Sequence, residues 1–391
     1  MPWRDVKPMD EKILFIADHL REQGDFSALC ERYGISRKTG YKWVKRYRAD
    51  GLEGLAERSR RPHATTGEIP YTIRKAIIEL RGQGRDPAGP KKIQELLSRR
   101  FADQPIPSKT TIYNVLKREG VLEPRRRRRH DQPSPHGLAT ATAPNELWSA
   151  DFKGQFKMGN GRWCYPLTVM DHASRYLLGC QGLDGPRFVE TRAEFERLFQ
   201  EYGLPNRLRT DNGVPFASTA TGGLSHLSIW WIRLGIMPER IEPGQPQQNG
   251  RHERMHRTLK LAVTHPPAAN RAAQQELFDR FRIDYNERRP HEALGQRSPQ
   301  SCYSPSSRPY PNHLPELEYP SYFQCQKVSC NGIAYWTGRR IYISYLLVGE
   351  WVGLEEVGDG IWAVYFGPLR LGSFDERQTK GRLNDYLTLK V

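Results

Sequence analysis

Between Asp10 and Leu55 apolar residues recur at helical spacing: Ile13, Ile16, Ala17 and Leu20 form one stripe, and "DFSALCERYGISRKTGYKWVKRY" follows. In that second stretch Asp25 or Ser27 can cap a short helix carrying Leu29, Cys30 and Tyr33, Gly34 supplies a turn, and Ser36 caps the next helix. The pattern predicts a helix-turn-helix unit over residues 1–62. Its second helix is expected to bury Tyr41, Val44 and Tyr47 or Trp43, and to turn Arg37, Lys38, Lys42, Lys45 and Arg46 outward. The arrangement recurs over residues 68–123. Ile73, Ile77 and Leu80 mark one helix, "GPKKIQELLSRRF" a second, and Ser108 caps a third that opens on Lys109 and buries Ile112, Val115 and Leu116.

From residue 145 the period changes. "RWCYPLTVMDHASRYLLGCQGL" holds two β-branched and aromatic runs about Asp171, Ala173 and Ser174, which predicts a hairpin. "PRFVETRAEFERLFQEYGLP" places Phe188, Phe195, Leu198 and Phe199 on one helical face and stops at Gly203. A short strand in "NRLRTDNG" and an amphipathic helix in "GLSHLSIWWIRLGI" follow, so residues 145–303 read as an α/β unit. Two stretches predict linkers: the five-arginine run with its Pro- and Ser-rich continuation at 124–144, and the Pro- and Ser-rich stretch at 304–320. "AERSRRPHATTGEIP" reads as an extended connection between the two helical units. Beyond it all, residues 321–391 alternate apolar and polar positions between glycine-containing turns, which predicts a small SH3-like all-β barrel.

Charge narrows the class. The chain of 391 residues carries 60 Lys and Arg against 44 Asp and Glu, a net charge of +16, which suits a polyanionic partner through phosphate neutralisation. Hydrophobic residues at 37% and aromatics at 10% are enough for folded cores despite a mean hydropathy of -0.72. No apolar run of about 18 residues and no signal-peptide core stand out, so a cytoplasmic protein without membrane contact is expected. The six cysteines are scattered without a paired CxxC spacing, which supports neither a disulfide framework nor a structural zinc site and predicts reduced thiols.

Against this basic background three acids stand out. Asp151 in "SADFKG" falls inside a strand beside buried positions. Asp211 in "RTDNG" ends a strand, at the kind of edge that faces ligand clefts in α/β sheets. Glu253 in "QNGRHERMHRTLK" lies on a helix and can point back towards that edge. Three converging carboxylates repel one another unless cations lie between them, and hard oxygen ligands suit Mg²⁺. Arg257 and Lys260, four and seven positions after Glu253, share its face and can touch phosphates. Asp171 is expected to organise its turn and His291 to serve packing or a phosphate contact.

The segments "ELWSADFKG", "YPLTVMDHASRYLLG", "RTDNGVPFAS", "IEPGQPQQNGRHERMHRTLK" and "DYNERRPHEALGQRSPQSCY" resemble, in order, the catalytic core of DDE transposases of bacterial insertion sequences, a group similar to retroviral integrases. The resemblance covers roughly residues 145–303. It implies a ribonuclease H-like core and a catalytic, metal-binding triad of Asp151, Asp211 and Glu253 holding two Mg²⁺ or Mn²⁺ ions. It also implies double-stranded DNA as partner, and at least a dimer to bring two transposon ends together. The interval from Asp211 to Glu253 is longer than the family's usual one, an excess that the loop "VPFASTATGGL" can absorb. Unlike retroviral integrases the chain has no His and Cys zinc-binding N-terminal unit, so end recognition is expected from residues 10–122. The function implied is binding of terminal inverted repeats with metal-dependent cleavage and strand transfer, and no small-molecule substrate. The alternative is a transposase-derived DNA-binding protein that does not cut.

Overall fold

The computed structural model describes residues 8–21, 24–57, 69–82, 87–122, 138–242, 244–377 and 386–390. These divide into two compact units, Met1–Glu68 and Ile69–Val391. The connection at 58–68 and the arginine run within 123–137 lie outside the described residues.

The first unit is three helices, α1 (Pro8–Leu20), α2 (Phe26–Arg32) and α3 (Arg37–Asp50), around Phe15, Ile16, Leu29, Cys30, Trp43, Val44 and Leu55. Gly34, at φ 62°, makes the turn before α3, and the Ser36 hydroxyl caps α3 by accepting the Thr39 N–H at 3.3 Å. One expectation fails: Tyr41 is 60% exposed and stacks on Phe26, while Trp43 takes the buried place. The cause is Gly40. A Cβ there would come within 2.7 Å of Cys30 Sγ, so this glycine lets α3 press on α2 and fixes 40, 43 and 44 as the inward face. Position 41 is then one helical step, about 100°, off that face.

The second unit begins with α4 (Tyr71–Gly82), α5 (Pro90–Arg100) and α6 (Lys109–Arg118). Ile73, Ile77, Leu80, Ile112, Val115 and Leu116 are buried together, and Ser108 caps α6 by accepting from Thr111 N at 3.2 Å, as the periodicity predicts.

A mixed sheet follows, built from β1 (Leu147–Phe152), β2 (Phe156–Lys157), β3 (Trp163–Asp171) and β4 (Leu177–Leu183), then helix α7 (Phe188–Tyr202) and strand β5 (Arg207–Thr210). Helix α8 (His226–Arg233), strand β6 (Met237–Arg240), and helices α9 (Gly250–Val263) and α10 (Arg271–Ile283) complete it. The strand order is β4-β3-β1-β5-β6, antiparallel on the β3 and β4 side and parallel from β1 to β6. Side chains alternate across the sheet, so each face needs its own cover. Trp148, Ala150, Phe195, Phe199, Leu227, Trp230 and Trp231 fill the face under α7 and α8. Met170, Leu177, Met255, Leu259, Phe278 and Phe281 fill the face under α9 and α10. This is the α/β core that the sequence predicts. The hairpin turn is organised by Asp171, whose buried carboxylate accepts from Asn145 N, Ser174 N and the Ser174 hydroxyl.

Residues 304–320 do not hang free between modules. Arg308 gives hydrogen bonds to the backbone oxygens of Pro205, Leu234 and Gly235, and Ser306 N donates to Tyr202 O, which lays this stretch on the α7 side of the core. The C-terminal part is all β: β7 (Gln324–Lys327), β8 (Ile333–Trp336), β9 (Arg339–Tyr342), β10 (Trp351–Gly358), β11 (Ile361–Phe366), β12 (Leu369–Asp375) and β13 (Tyr386–Leu387). These form two sheets, β12-β11-β10-β7 and β13-β9-β8. Among the described residues no ladder joins the two into the closed barrel that was expected; they share one interior, to which α8 adds Ile229 and Ile232. The Arg233–Glu350 ion pair at 3.3 Å and the Thr221 hydroxyl on Ile343 O hold the same junction.

Candidate active site

Three elements carry the acids to one edge of the sheet. Asp151 is the fifth residue of β1 and pairs with Thr168 of β3 in the ladder. Asp211 follows the last residue of β5, the parallel neighbour of β1. Its carboxylate accepts from Gly213 N at 3.1 Å, and a Cβ on Gly213 would lie 3.1 Å from that carboxylate, so a side chain there would crowd it. Glu253 sits in the first turn of α9, exposed at its surface.

The three are electrostatically one group. Burial, the Asp211 carboxylate and, more weakly, Glu253 push the Asp151 carboxyl up to about 7. Glu242, nearer to Asp211 in sequence, is not among the groups that act on Asp151; its backbone N–H is taken by the Gln248 side chain. Lys153 stands on the other side, its ammonium held below the usual lysine range by burial and by Lys260 nearby. Arg257 and Lys260 are exposed on α9 beyond Glu253.

Beneath the acids lies a polar cluster that sequence reasoning missed. The Thr168 hydroxyl donates to the main-chain oxygen of Asp151 at 3.0 Å. Its oxygen also lies 2.7 Å from both His252 Nε2 and His256 Nε2, and with its one proton on the Asp151 oxygen it would accept an Nε2–H from each ring. In that arrangement Nδ1 is bare on both rings. That of His252 meets the Ser149 hydroxyl at 2.9 Å, and that of His256 faces Asp151 Oδ2 across 3.6 Å. Burial holds both imidazoles neutral, bringing His252 down to about 3 and His256 well below its ordinary value. The signal was present as "HERMH", an H-E-x-x-H pattern that on a helix can set two histidines around zinc. Here both nitrogens of His252 are already bonded, so the pattern does not supply that ligand pair.

A divalent cation fits these surroundings on two grounds. Neutral imidazoles cannot offset the carboxylates, and once Asp151 is ionised its Oδ2 and a ring nitrogen of His256, 3.6 Å apart, are both available to a positive charge. His256 Nδ1, Asp151 and His252 offer ligand atoms within 4.8 Å of one another, but with His252 committed the carboxylates form the better oxygen donor set for a hard ion.

The helical basic residues are placed elsewhere. Arg37, Lys38, Lys42 and Lys45 are exposed on α3, and Lys109 is exposed at the start of α6. Arg46 is half-buried: with Lys42 it leans over the Trp43 ring. His291, half-buried against the Tyr285 ring, is driven to about 3 by desolvation and by Arg289, which makes it a packing residue in this arrangement. All six cysteines are free, and among the described residues no helix is long and apolar enough to cross a membrane.

The fold and site define a protein with helix-turn-helix units ahead of an integrase-type core. Residues 141–246 and 234–299 match two models of the integrase core domain, 13–63 a helix-turn-helix domain and 39–116 a homeodomain-like domain. The chain is 27% identical over 281 residues to the insertion element IS407 uncharacterized 31.7 kDa protein of Burkholderia multivorans, covering 70% of this chain and 92% of that one. It is 27% identical over 278 residues to the insertion element IS476 uncharacterized 39.2 kDa protein of Xanthomonas euvesicatoria, covering 69% and 75%. Among solved structures, it is 17% identical, at a TM-score of 0.37, to a chain of the simian T-cell lymphotropic virus intasome, covering 71% of this chain and 93% of that one. It is 15% identical, at 0.34, to the HTLV-2 integrase catalytic core domain in complex with magnesium, covering 42% of this chain and all of that one. The chain thus carries an integrase core domain behind helix-turn-helix domains and is similar to proteins of bacterial insertion elements.

Proposed function

We propose that this protein binds the terminal inverted repeats of an insertion sequence and catalyses metal-dependent DNA cleavage and strand transfer, with Asp151, Asp211 and Glu253 as its catalytic ligands. The observation that carries the reading is the convergence of these acids: burial first, then the charges of Asp211 and Glu253, raise Asp151 to about 7, with Lys153 beside it. Mg²⁺ or Mn²⁺ ions, two per site, would supply a lowered pKa for an attacking water or DNA 3′-hydroxyl and charge neutralisation at the phosphodiester and its leaving oxygen.

The chain's own residues do the rest. Asp151 and Asp211, on adjacent parallel strands, bind from the sheet edge, and Glu253 binds from α9. Lys153, Lys260 and Arg257 line the approach and orient the DNA backbone by its phosphates. Arg37, Lys38, Lys42, Lys45 and Arg46 of α3 and Lys109 of α6 contact duplex DNA, the capped helices entering major grooves. No nucleophilic side chain of the protein is needed, so no covalent protein–DNA intermediate forms. Synapsis of two ends calls for at least a dimer, and the C-terminal sheets touch DNA or a second protomer.

Asp151→Asn and Glu253→Gln test the assignment. Each should abolish Mg²⁺-dependent joining of labelled repeat-end DNA while leaving the gel shift of that DNA intact. Joining at the wild-type rate in either variant removes the site; a wild-type chain that shifts the DNA and never nicks it, with Mg²⁺ or Mn²⁺, would instead be a DNA-binding protein without cleavage activity.

A further inference from the structure

The buried cluster of Ser149, Thr168, His252 and His256 is not used by the reaction outlined above. It joins three elements at one atom: Thr168 Oγ1 on β3 gives its proton to the backbone of Asp151 on β1 and receives the Nε2–H groups of two α9 histidines. A hydroxyl has one donor and two acceptor positions, and all three are filled. His252 precedes Glu253 directly, and His256 follows it by three residues, so the two bonds flank the glutamate on α9 and resist both sliding and rotation of that helix.

We propose that Thr168 is a positioning residue whose hydroxyl clasps α9 to the backbone of Asp151 and so fixes where Glu253 stands relative to Asp151 for cation binding. The inference rests on the reading of these acids as cation ligands. Thr168 touches neither ion nor DNA. It acts through the two rings, and by fixing their Nε2–H tautomers it also decides that His256 turns a bare Nδ1, rather than an N–H, towards the Asp151 carboxylate. Groups that orient metal ligands from behind typically change metal affinity 10- to 100-fold when removed.

The full-length protein allows two tests. Mn²⁺ is titrated into metal-free wild type, Thr168→Val and Thr168→Ser without DNA, following the loss of the free-ion electron paramagnetic resonance signal. Valine keeps the shape and loses the clasp, so its Mn²⁺ midpoint should rise about tenfold or more, with repeat-end DNA binding unchanged; serine should return it to within about threefold. A valine midpoint within twofold of wild type overturns the proposal, even if that variant melts earlier, because a residue that only fills the core would move the melting temperature alone. The second test needs no variant and stands if valine does not fold. Long-range ¹⁵N–¹H correlation spectra of the imidazoles should show His252 and His256 both protonated at Nε2, and an Nδ1–H form at His256 overturns the clasp. Failure of the underlying reading looks different: wild type itself would take up no Mn²⁺ at the site.

Discussion

Arg209 and Glu239 face each other across the parallel strands β5 and β6 at 2.6 Å, with side chains only 4% and 11% exposed. The same guanidinium also donates to the backbone oxygens of Ala139 and Gln248. One side chain thus ties the entry to the core, the strand that delivers Asp211 and the turn that precedes α9. Removing one member of a buried pair leaves the other charge uncompensated. Glu239→Ala should therefore cost about 3 to 5 kcal/mol in urea unfolding, and an Arg209→Met, Glu239→Met double variant should recover a large part of that loss.

Asp151 makes the metal-free protein sensitive to pH in an unusual direction. Its folded-state pKa of about 7 lies above the ordinary aspartate value, so between roughly pH 4 and 7 the folded chain keeps a proton that the unfolded chain has lost. The stability this contributes is present at low pH and is lost as pH rises through 7. In EDTA, Asp151→Asn should melt higher than wild type at pH 8, by about 2 to 4 °C for each kcal/mol recovered, and the gap should close towards pH 4. Mg²⁺ at pH 8 should raise the wild-type melting temperature and leave that of the variant almost unmoved. A gap that is the same at both pH values would contradict the raised pKa of Asp151.

The helix caps and the exposed face of α3 separate stability from DNA affinity. Ser36→Ala and Ser108→Ala each remove a side-chain acceptor for an N-terminal helix N–H and should cost about 1 kcal/mol. Lys42→Ala leaves the cap intact. It should weaken binding evenly across DNA sequences and lower the salt dependence by about one phosphate contact, read from fluorescence anisotropy at several salt concentrations.

Removal of everything after residue 320 should be destabilising in itself. Leu224, Ile229 and Ile232 are buried against the C-terminal sheets, and truncation would expose them together. The shortened chain is expected to aggregate or to melt several degrees lower, whereas an intact chain carrying Arg370→Ala should melt as wild type does. Monodisperse, equally stable truncated protein would show that the shared interior contributes little.

Much of this was legible in the chain. Period and caps placed α3 and α6, and local context put Asp151 within a strand and Asp211 at a strand's end, because those signals are local. What stayed hidden depends on partners far away in sequence. Thr168 reads as one more residue of a β-branched run, and only the fold brings His252 and His256, 84 and 88 positions away, onto its hydroxyl. Tyr41 was misplaced because the inward face of α3 is set by the close approach at Gly40, not by hydrophobicity alone. The Pro- and Ser-rich stretch at 304–320 has the composition of a tether, yet Arg308 finds four backbone and side-chain oxygens on the core. Closure of the β module into a barrel was expected from turn spacing, which carries no information on which edges pair.

Helix α8 has only eight residues, yet it sends Leu227, Trp230 and Trp231 into one apolar interior and Ile229 and Ile232 into another. Adding or deleting a single residue within it would turn every later position by about 100° and take side chains out of the interior each now fills. Changes of length should be forbidden here, which makes these eight positions the place where two parts of the molecule must evolve in step.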